Sequence, residues 1–309
     1  MPELPDIEVY REALERRVVG QTLERVRIVD PFVLRTAVPP VDAFAGAKLL
    51  ALRRLGKRLA FGFAGDRWLV LHLMIAGRLH WTPATGSGRG TPAAPPARNA
   101  RAHFGFTSGT LTLTEAGTKH RASLHAVDGG AALRAHDPGG IDMLACTAAE
   151  LGAVLTRENH TLKRALTDPH LVDGIGNAYS DEILHAARLS PVALTQKLTA
   201  AEIGRLHAAA RGQLAAWTDR LRREAGDRFP GKVTAFRPEM AVHGKFGRPC
   251  PVCGTVVQRI RHAENEVNYC PRCQTGGRLL ADRSLSRLLK EDWPRTIEEA
   301  ELRRPAPPR

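Results

Sequence analysis

Two cysteine pairs, Cys250-Pro-Val-Cys253 and Cys270-Pro-Arg-Cys273, with 16 residues between them, constrain this chain more than any other feature. Each C-x2-C knuckle can aim two thiolates at one cation, and the spacing fits the template of a structural zinc site holding one Zn2+. Gly254 supplies a permissive backbone just after the first knuckle. The intervening "TVVQRIRHAENEVNY" has the length and β-branched content of a hairpin, so the segment reads as a zinc ribbon. Disulfides are the alternative in an oxidising compartment. No basic-then-apolar leader precedes the first helical pattern and no apolar run reaches about 18 residues, so a cytoplasmic protein with no membrane partner is expected. The fifth cysteine, Cys146, stands apart and reads as a small buried hydrophobe.

A ribbon accounts for little of 309 residues, a length that suggests two domains and a small appendage. From Asp6 to Val18 the apolar residues Ile7, Tyr10, Leu14 and Val18 recur at helical spacing, and Gly20 ends the run. Residues 22–80 read as strands, among them "TLERVRIVD", "RLAFGFAG" and "WLVLHLMIAGRL". "TPATGSGRGTPAAPPA" interrupts them as a mobile surface loop, and strands resume with "GTLTLTEAG". A hinge is expected near residues 126–145, in "DGG" and "DPGG". Beyond it Thr147 with Glu150, and Thr199 with Glu202, carry capping-box signatures, and Ile203, Leu206, Leu214, Trp217 and Leu221 share one helical face. Between these helices "VDGIGN" sets Gly174 and Gly176 ahead of Asn177, read as the N-cap of a helix through Tyr179 and Ile183. Such a turn either joins two helices and nothing more, or offers backbone N–H groups to a phosphate. The resulting fold class is α+β multidomain: a catalytic β-sandwich domain with an N-terminal helix at 1–130, a helical domain at 146–240, the ribbon at 241–275, and a terminal helix, "DRSLSRLLKEDW", with a disordered tail at 276–309.

Charge indicates the partner. Forty-five Lys and Arg against 32 Asp and Glu give a formal net charge of +13, which favours a polyanion, with nucleic acid ahead of an anionic membrane. A basic drift without function, as in enzymes from Arg-rich genomes, is the competing explanation.

Three motifs then converge. The N-terminal "PELPDIE", the segment "GIGNAYSDE" and the C-terminal ribbon occur in one order over roughly residues 2–274. In all three the chain resembles the formamidopyrimidine-DNA glycosylase and endonuclease VIII family. The resemblance implies a monomeric bacterial base-excision enzyme acting on double-stranded DNA with a damaged base or abasic site. It releases the base and nicks the strand by elimination. It implies Pro2 as the nucleophile once Met1 is removed, Glu3 as acid/base, and Lys57 as a strand-borne lysine on a phosphate flanking the lesion. Lys163 and Asn177 match the helix-two-turn-helix residues that hold the backbone. The physical case for an α-amine is strong. A free Lys near pKa 10.4 is unprotonated in about one molecule in 2500 at pH 7, against roughly 10 to 15% for an ordinary α-amine. A proline amine is somewhat more basic, but its Schiff base is a permanent iminium that activates the neighbouring C2′ proton.

The departures are as informative. Aligned on His72, Leu73 and Gly77, Ile75 stands where the family inserts a methionine, with Met74 one residue earlier; on a strand the two would face opposite ways. The stretch "EAGTKHRASL" lacks the wedge of the oxidised-purine branch, leaving Lys119, His120 or Arg121 to act electrostatically. Asn265 replaces a phosphate-gripping arginine, with Arg259 or Arg261 as substitutes. "EAGDRFPGKVTAF" is a short version of a base-capping segment. These differences leave the catalytic end intact and alter the lesion-reading end. A non-catalytic damage-binding protein would use the same charge, clamp and ribbon but has no need of Pro2, Glu3 and Lys57 together. A zinc-ribbon transcription or translation factor explains neither "PELPDIE" nor the two-domain layout.

Overall fold

The computed structural model describes residues 1–84, 99–231, 233–234, 236–262, 265–280 and 294–302. It divides into two compact units, one of residues 1–139 with 216–235 and one of residues 140–215 with 236–309.

The first unit is a helix on a β-sandwich. Helix α1, Leu4–Val18, begins two residues before the sequence suggests, because Glu3 takes the N-cap and Pro5 is tolerated in the first turn. Asp6 completes a capping box, its Oδ2 accepting the Glu3 N–H at 3.0 Å. Eight strands form two antiparallel sheets. One has the order β1 (Leu23–Ile28), β6 (Ala100–Phe106), β7 (Gly109–Glu115), β5 (Gly77–Pro83); the other has the order β2 (Leu49–Leu55), β3 (Arg58–Phe63), β4 (Arg67–His72), β8 (Ser123–Asp128). The alternation of the strands sends Leu79, Phe104, Leu111, Leu59, Leu69 and Leu124 into one core, closed by Ile7, Tyr10 and Leu14 of α1. Helix α2, Gly129–Arg134, covers part of the second sheet's other face, where Leu133 joins Ala60, Trp68, Val70 and Val127. "DGG" therefore opens a helix of this unit, and the division falls at Gly139 and Gly140. The Pro- and Ala-rich stretch lies almost wholly outside the described residues.

The second unit is helical with a ribbon. Both capping boxes form: Thr147 opens α3, Ala148–Thr156, and the Thr199 hydroxyl bonds Glu202 at the start of α6, Ala200–Ala225, whose residues up to 215 belong to this unit and whose residues from 216 belong to the first. Helix α4, Leu162–Thr167, and α5, Asn177–Ala186, flank the glycine turn. The N-cap of α5 is Gly176 and Asn177 is its first residue, a correction to the sequence reading; Gly174, at φ +74°, makes the turn that glycine favours. Strands β9, Gln258–His262, and β10, Asn265–Tyr269, form the expected hairpin, followed by α7, Pro271–Thr275. Cys146 is buried as expected. The terminal "DRSLSRLLKEDW" helix and the tail from 303 onward fall outside the described residues. Among the described residues no helix is long and apolar enough to cross a membrane.

Candidate functional site

In the first unit, the start of α1 collects chemistry-bearing groups. Pro2 is buried and Glu3 is 2% exposed. Met1 precedes them, and burial pulls its amine below the ordinary range; Glu3 and Asp6 oppose that shift, while Arg78 and Lys57 reinforce it. Residues from α1, from the start of β5 and from the β2–β3 connection thus share one electrostatic neighbourhood. Lys57 is half-buried in the tight turn after Leu55, beside Gly56 at φ +61°, and not on a strand as the sequence suggests. A turn places a lysine at the end of the sandwich where a strand position would have faced a sheet surface.

The same end carries the β4–β5 connection. β4 stops at His72 and β5 starts at Gly77, so Met74 and Ile75 lie on a turn, with Met74 at φ +51°. The strand alternation expected to separate them does not operate. Ile75 is 56% exposed. The turn is tightly made: Met74 N–H donates to His72 Nδ1 at 2.9 Å, Gly77 N–H donates to the Leu73 carbonyl at 2.9 Å, and Arg78 donates to the Ile75 and Gly77 carbonyls. A Cβ on Gly77 would meet the Leu73 oxygen at 2.2 Å. His72 was missed by the sequence reading, which used it only as an alignment mark. Burial, then Arg58, Lys57 and His125, pull its imidazole down to about 4, so it is a neutral hydrogen-bonding group near Lys57.

Lys119, His120 and Arg121 are exposed on the β7–β8 connection. That loop is closed from inside by buried Glu115, which accepts the Arg121 N–H at 2.9 Å and the Ala122 N–H at 3.1 Å. Arg101 pairs with Asp30 at 3.1 Å and lies against the His120 ring.

The second unit holds the helix-two-turn-helix residues and the cysteines. Lys163 is 9% exposed, and its ammonium donates to Asp181 Oδ1 at 2.5 Å and to the Asn177 carbonyl at 2.7 Å. Asp181 also accepts from His243 Nδ1 at 2.8 Å and from the Asn268 N–H at 3.2 Å. Its neighbour Glu182 accepts the N–H groups of Ala241, Val242 and His243 at 2.7 to 2.9 Å. Two adjacent buried carboxylates on α5 therefore anchor the segment leading to the ribbon and the strand returning from it. Both stand in the quoted "GIGNAYSDE", but nothing local to that motif reveals which distant donors they receive. Asn177 Nδ2 donates to the Glu266 carbonyl at 2.9 Å. The Asn265 side chain lies outside the described residues. Arg259 pairs with Glu266 at 3.1 Å and lies 4.1 Å over the Phe246 ring; Arg261 is 3.9 Å from the same carboxylate.

The four ribbon cysteines bring their sulfur atoms within 4.8 Å of one another. Cys250 and Cys273 Sγ are 4.0 Å apart, and Cys253 and Cys270 Sγ are 3.4 Å apart. Tetrahedral coordination with Zn–S bonds near 2.3 Å requires sulfur separations of about 3.8 Å. The donor set fits one zinc ion. His185 of α5 places Nε2 3.3 Å from Cys250 Sγ, and Gln274 donates to the Leu189 carbonyl at 2.9 Å, so the knuckles are fastened to the helical part of the unit.

Comparison with known proteins agrees with this division. The formamidopyrimidine-DNA glycosylase N-terminal domain matches residues 1–138, the helix-two-turn-helix domain of the same enzymes matches residues 140–217, and the zinc finger found in FPG and IleRS matches residues 247–276. Formamidopyrimidine-DNA glycosylase of Exiguobacterium sibiricum is 32% identical over 292 residues, covering 89% of this chain and 99% of that one. An uncharacterised formamidopyrimidine-DNA glycosylase-like protein of Mycobacterium tuberculosis is 42% identical over 151 residues, 49% of this chain and 94% of its own. Among solved structures, Lactococcus lactis Fpg (MutM) in complex with DNA containing an oxidised pyrimidine aligns with a TM-score of 0.76 and 25% identity over 89% of this chain and all of that one.

Proposed function

We propose, from the premise that this chain belongs to the formamidopyrimidine-DNA glycosylase family, that it is a bifunctional DNA glycosylase and abasic-site lyase of base-excision repair. Pro2, freed of Met1, attacks C1′ of the damaged nucleotide with its secondary amine, and the C1′–base bond breaks. Glu3 protonates the opening sugar oxygen and then carries protons between the iminium and solvent. The iminium draws electrons from C2′, the C2′ proton is lost, and the 3′ phosphate leaves; water then releases the enzyme. With Met1 in place the Pro2 nitrogen is an amide and has no lone pair to give. Lys57 holds a phosphate beside the lesion, and Lys163 and Asn177 belong to the part that orients the backbone without reading sequence.

The observation that carries this reading is the company Pro2 keeps: a buried carboxylate at the next residue, with Lys57 and Arg78 near enough to act on the charge of the adjoining Met1 amine. Lesion preference follows from Ile75 on an exposed turn, and from Lys119 and Arg121 on a loop without an aromatic wedge. Both favour lesions other than 8-oxoguanine as the main substrate, with oxidised pyrimidines, ring-opened purines and abasic sites as the candidates.

Borohydride trapping on duplexes carrying an abasic site, 8-oxoguanine or 5-hydroxyuracil, with mass spectrometry of the cross-linked peptide, tests both parts. An adduct on Pro2, absent in Pro2→Gly and when Met1 is retained, is expected, with 8-oxoguanine trapped least. Tight binding without an adduct would make the chain a damage-binding protein, and a strong 8-oxoguanine preference would refute the lesion assignment.

A further inference from the structure

Apart from Arg78 at its edge, the outward face of the β1-β6-β7-β5 sheet takes no part in the reaction above. Val26, Leu79, Ala102, Phe104, Leu111 and Leu113 point into the core, so the alternate positions face the other way. Register sets Arg27, His103, Thr112 and His80 side by side across the four strands. The next row is Arg25, Gly105, Thr110 and Thr82, and Arg78 with Thr114 begins a third. These rows hold arginine, histidine, threonine and glycine and no carboxylate. The acids at the margin are Glu24, in the bulge before Arg25, and Asp30, which pairs with Arg101. Arg25 and Arg27 are exposed, and among the described residues neither is in an ion pair.

The face is organised as well as charged. His103 Nδ1 lies 3.0 Å from Thr112 Oγ1 and His80 Nε2 lies 2.9 Å from Thr114 Oγ1, which holds both rings in the rows. Burial lowers both imidazoles, and Arg27 and Arg25 for one, Arg78 for the other, lower them further, so the rings sit in a positive field. Gathering like charges on one flat surface costs repulsion that an anionic partner removes.

We propose that this sheet face is a second, sequence-independent binding surface for the phosphate backbone of duplex DNA, engaging a stretch beyond the one held at the catalytic N-terminus. Arg25 and Arg27 are two residues apart on a strand, about 6.8 Å along its length, and each meets a phosphate. The identity of the polyanion rests on the glycosylase reading; the charge arrangement does not.

The test compares the full zinc-loaded chain with the double variant Arg25→Glu, Arg27→Glu. Affinity is measured for a long undamaged duplex at 50 and 200 mM salt, and single-turnover nicking is measured on a short abasic duplex. Loss of two phosphate contacts lowers the salt slope by about 1.8, so over this range wild-type affinity falls about ten-fold further than that of the variant. Nicking of the short duplex is unchanged, and Arg25→Lys, Arg27→Lys retains the wild-type slope. Should charge reversal impair folding, Arg25→Gln, Arg27→Gln removes the same two charges and carries the same comparison. Equal slopes, a parallel loss of short-duplex nicking, or a defect confined to phosphatidylserine vesicles would overturn the proposal. A wild-type chain that shows the slope difference but nicks nothing would refute the glycosylase reading and leave this surface standing.

Discussion

Removing the Asp181 carboxylate should be among the most damaging single changes in the second unit. Asp181 has no exposed side-chain surface and receives Lys163, His243 and the Asn268 N–H, while Lys163 is 11% exposed at its side chain. In Asp181→Ala the Lys163 ammonium keeps only the Asn177 carbonyl as a close acceptor among the contacts described above. Breaking one partner out of a buried ion pair costs about 3–5 kcal/mol, because the remaining charge stays out of water without compensation. The orphaned His243 and Asn268 donors add to this, but not independently, and we take about 4 kcal/mol for the whole. At about 2–4 °C per kcal/mol for a unit of this size, the zinc-loaded protein should melt roughly 8–16 °C lower by far-ultraviolet circular dichroism. The companion double variant Asp181→Leu, Lys163→Met replaces both charges by apolar groups and should recover at least half of the loss. A drop of less than about 1 kcal/mol in Asp181→Ala, or a double variant as unstable as the sum of its parts, would refute the view that this pair anchors the unit.

Two further outcomes follow from the structure. His72 has its folded-state pKa lowered to about 4, below the roughly 6.5 of an unfolded histidine, so its contribution to stability is full above about pH 6.5 and is lost as the pH falls through about 4. Denaturant titrations across that range should give a flatter pH profile for His72→Asn than for the wild type, and identical profiles would contradict the burial and charge described for this ring. Stripping zinc with a chelator should unfold the ribbon and weaken DNA binding, both restored by added zinc, and Cys253→Ser should do the same; metal analysis giving no zinc in freshly purified protein would refute the assignment.

Much of this arrangement was legible in the residues because local chemistry dictates it. Paired cysteines at knuckle spacing, threonine with glutamate three residues on, and apolar residues at helical period each carry their structural meaning within a few positions. Hence the ribbon, the capped helices α3 and α6, and helix α1 are all readable in the sequence. Where the reading failed, the deciding partner was remote or the boundary depended on pairing. Lys57 and Met74 sit in sequences that look like continuing strands, and only the registers of β2 with β3 and of β4 with β8, together with the position of β5 in the other sheet, determine that the chain turns there. Asn177 looks like an N-cap, yet Gly176 takes that place and the Asn177 amide reaches Glu266, 89 residues away.

The same distinction separates what the sequence determined from what tertiary structure decided. Residue types and spacing determined which groups are available: a proline after Met1 with a carboxylate beside it, four thiolates for one zinc, and an excess of positive charge. Folding decided their company. Lys163 became a buried cation because Asp181 and the Asn177 carbonyl converge on it, and Arg25, Arg27 and Arg78 came to share one sheet face because four strands took that register. Spacing along a chain specifies contacts within a turn of helix or a pleat of strand; burial and electrostatic field depend on which distant segments close around a group, and those are properties of the packed structure.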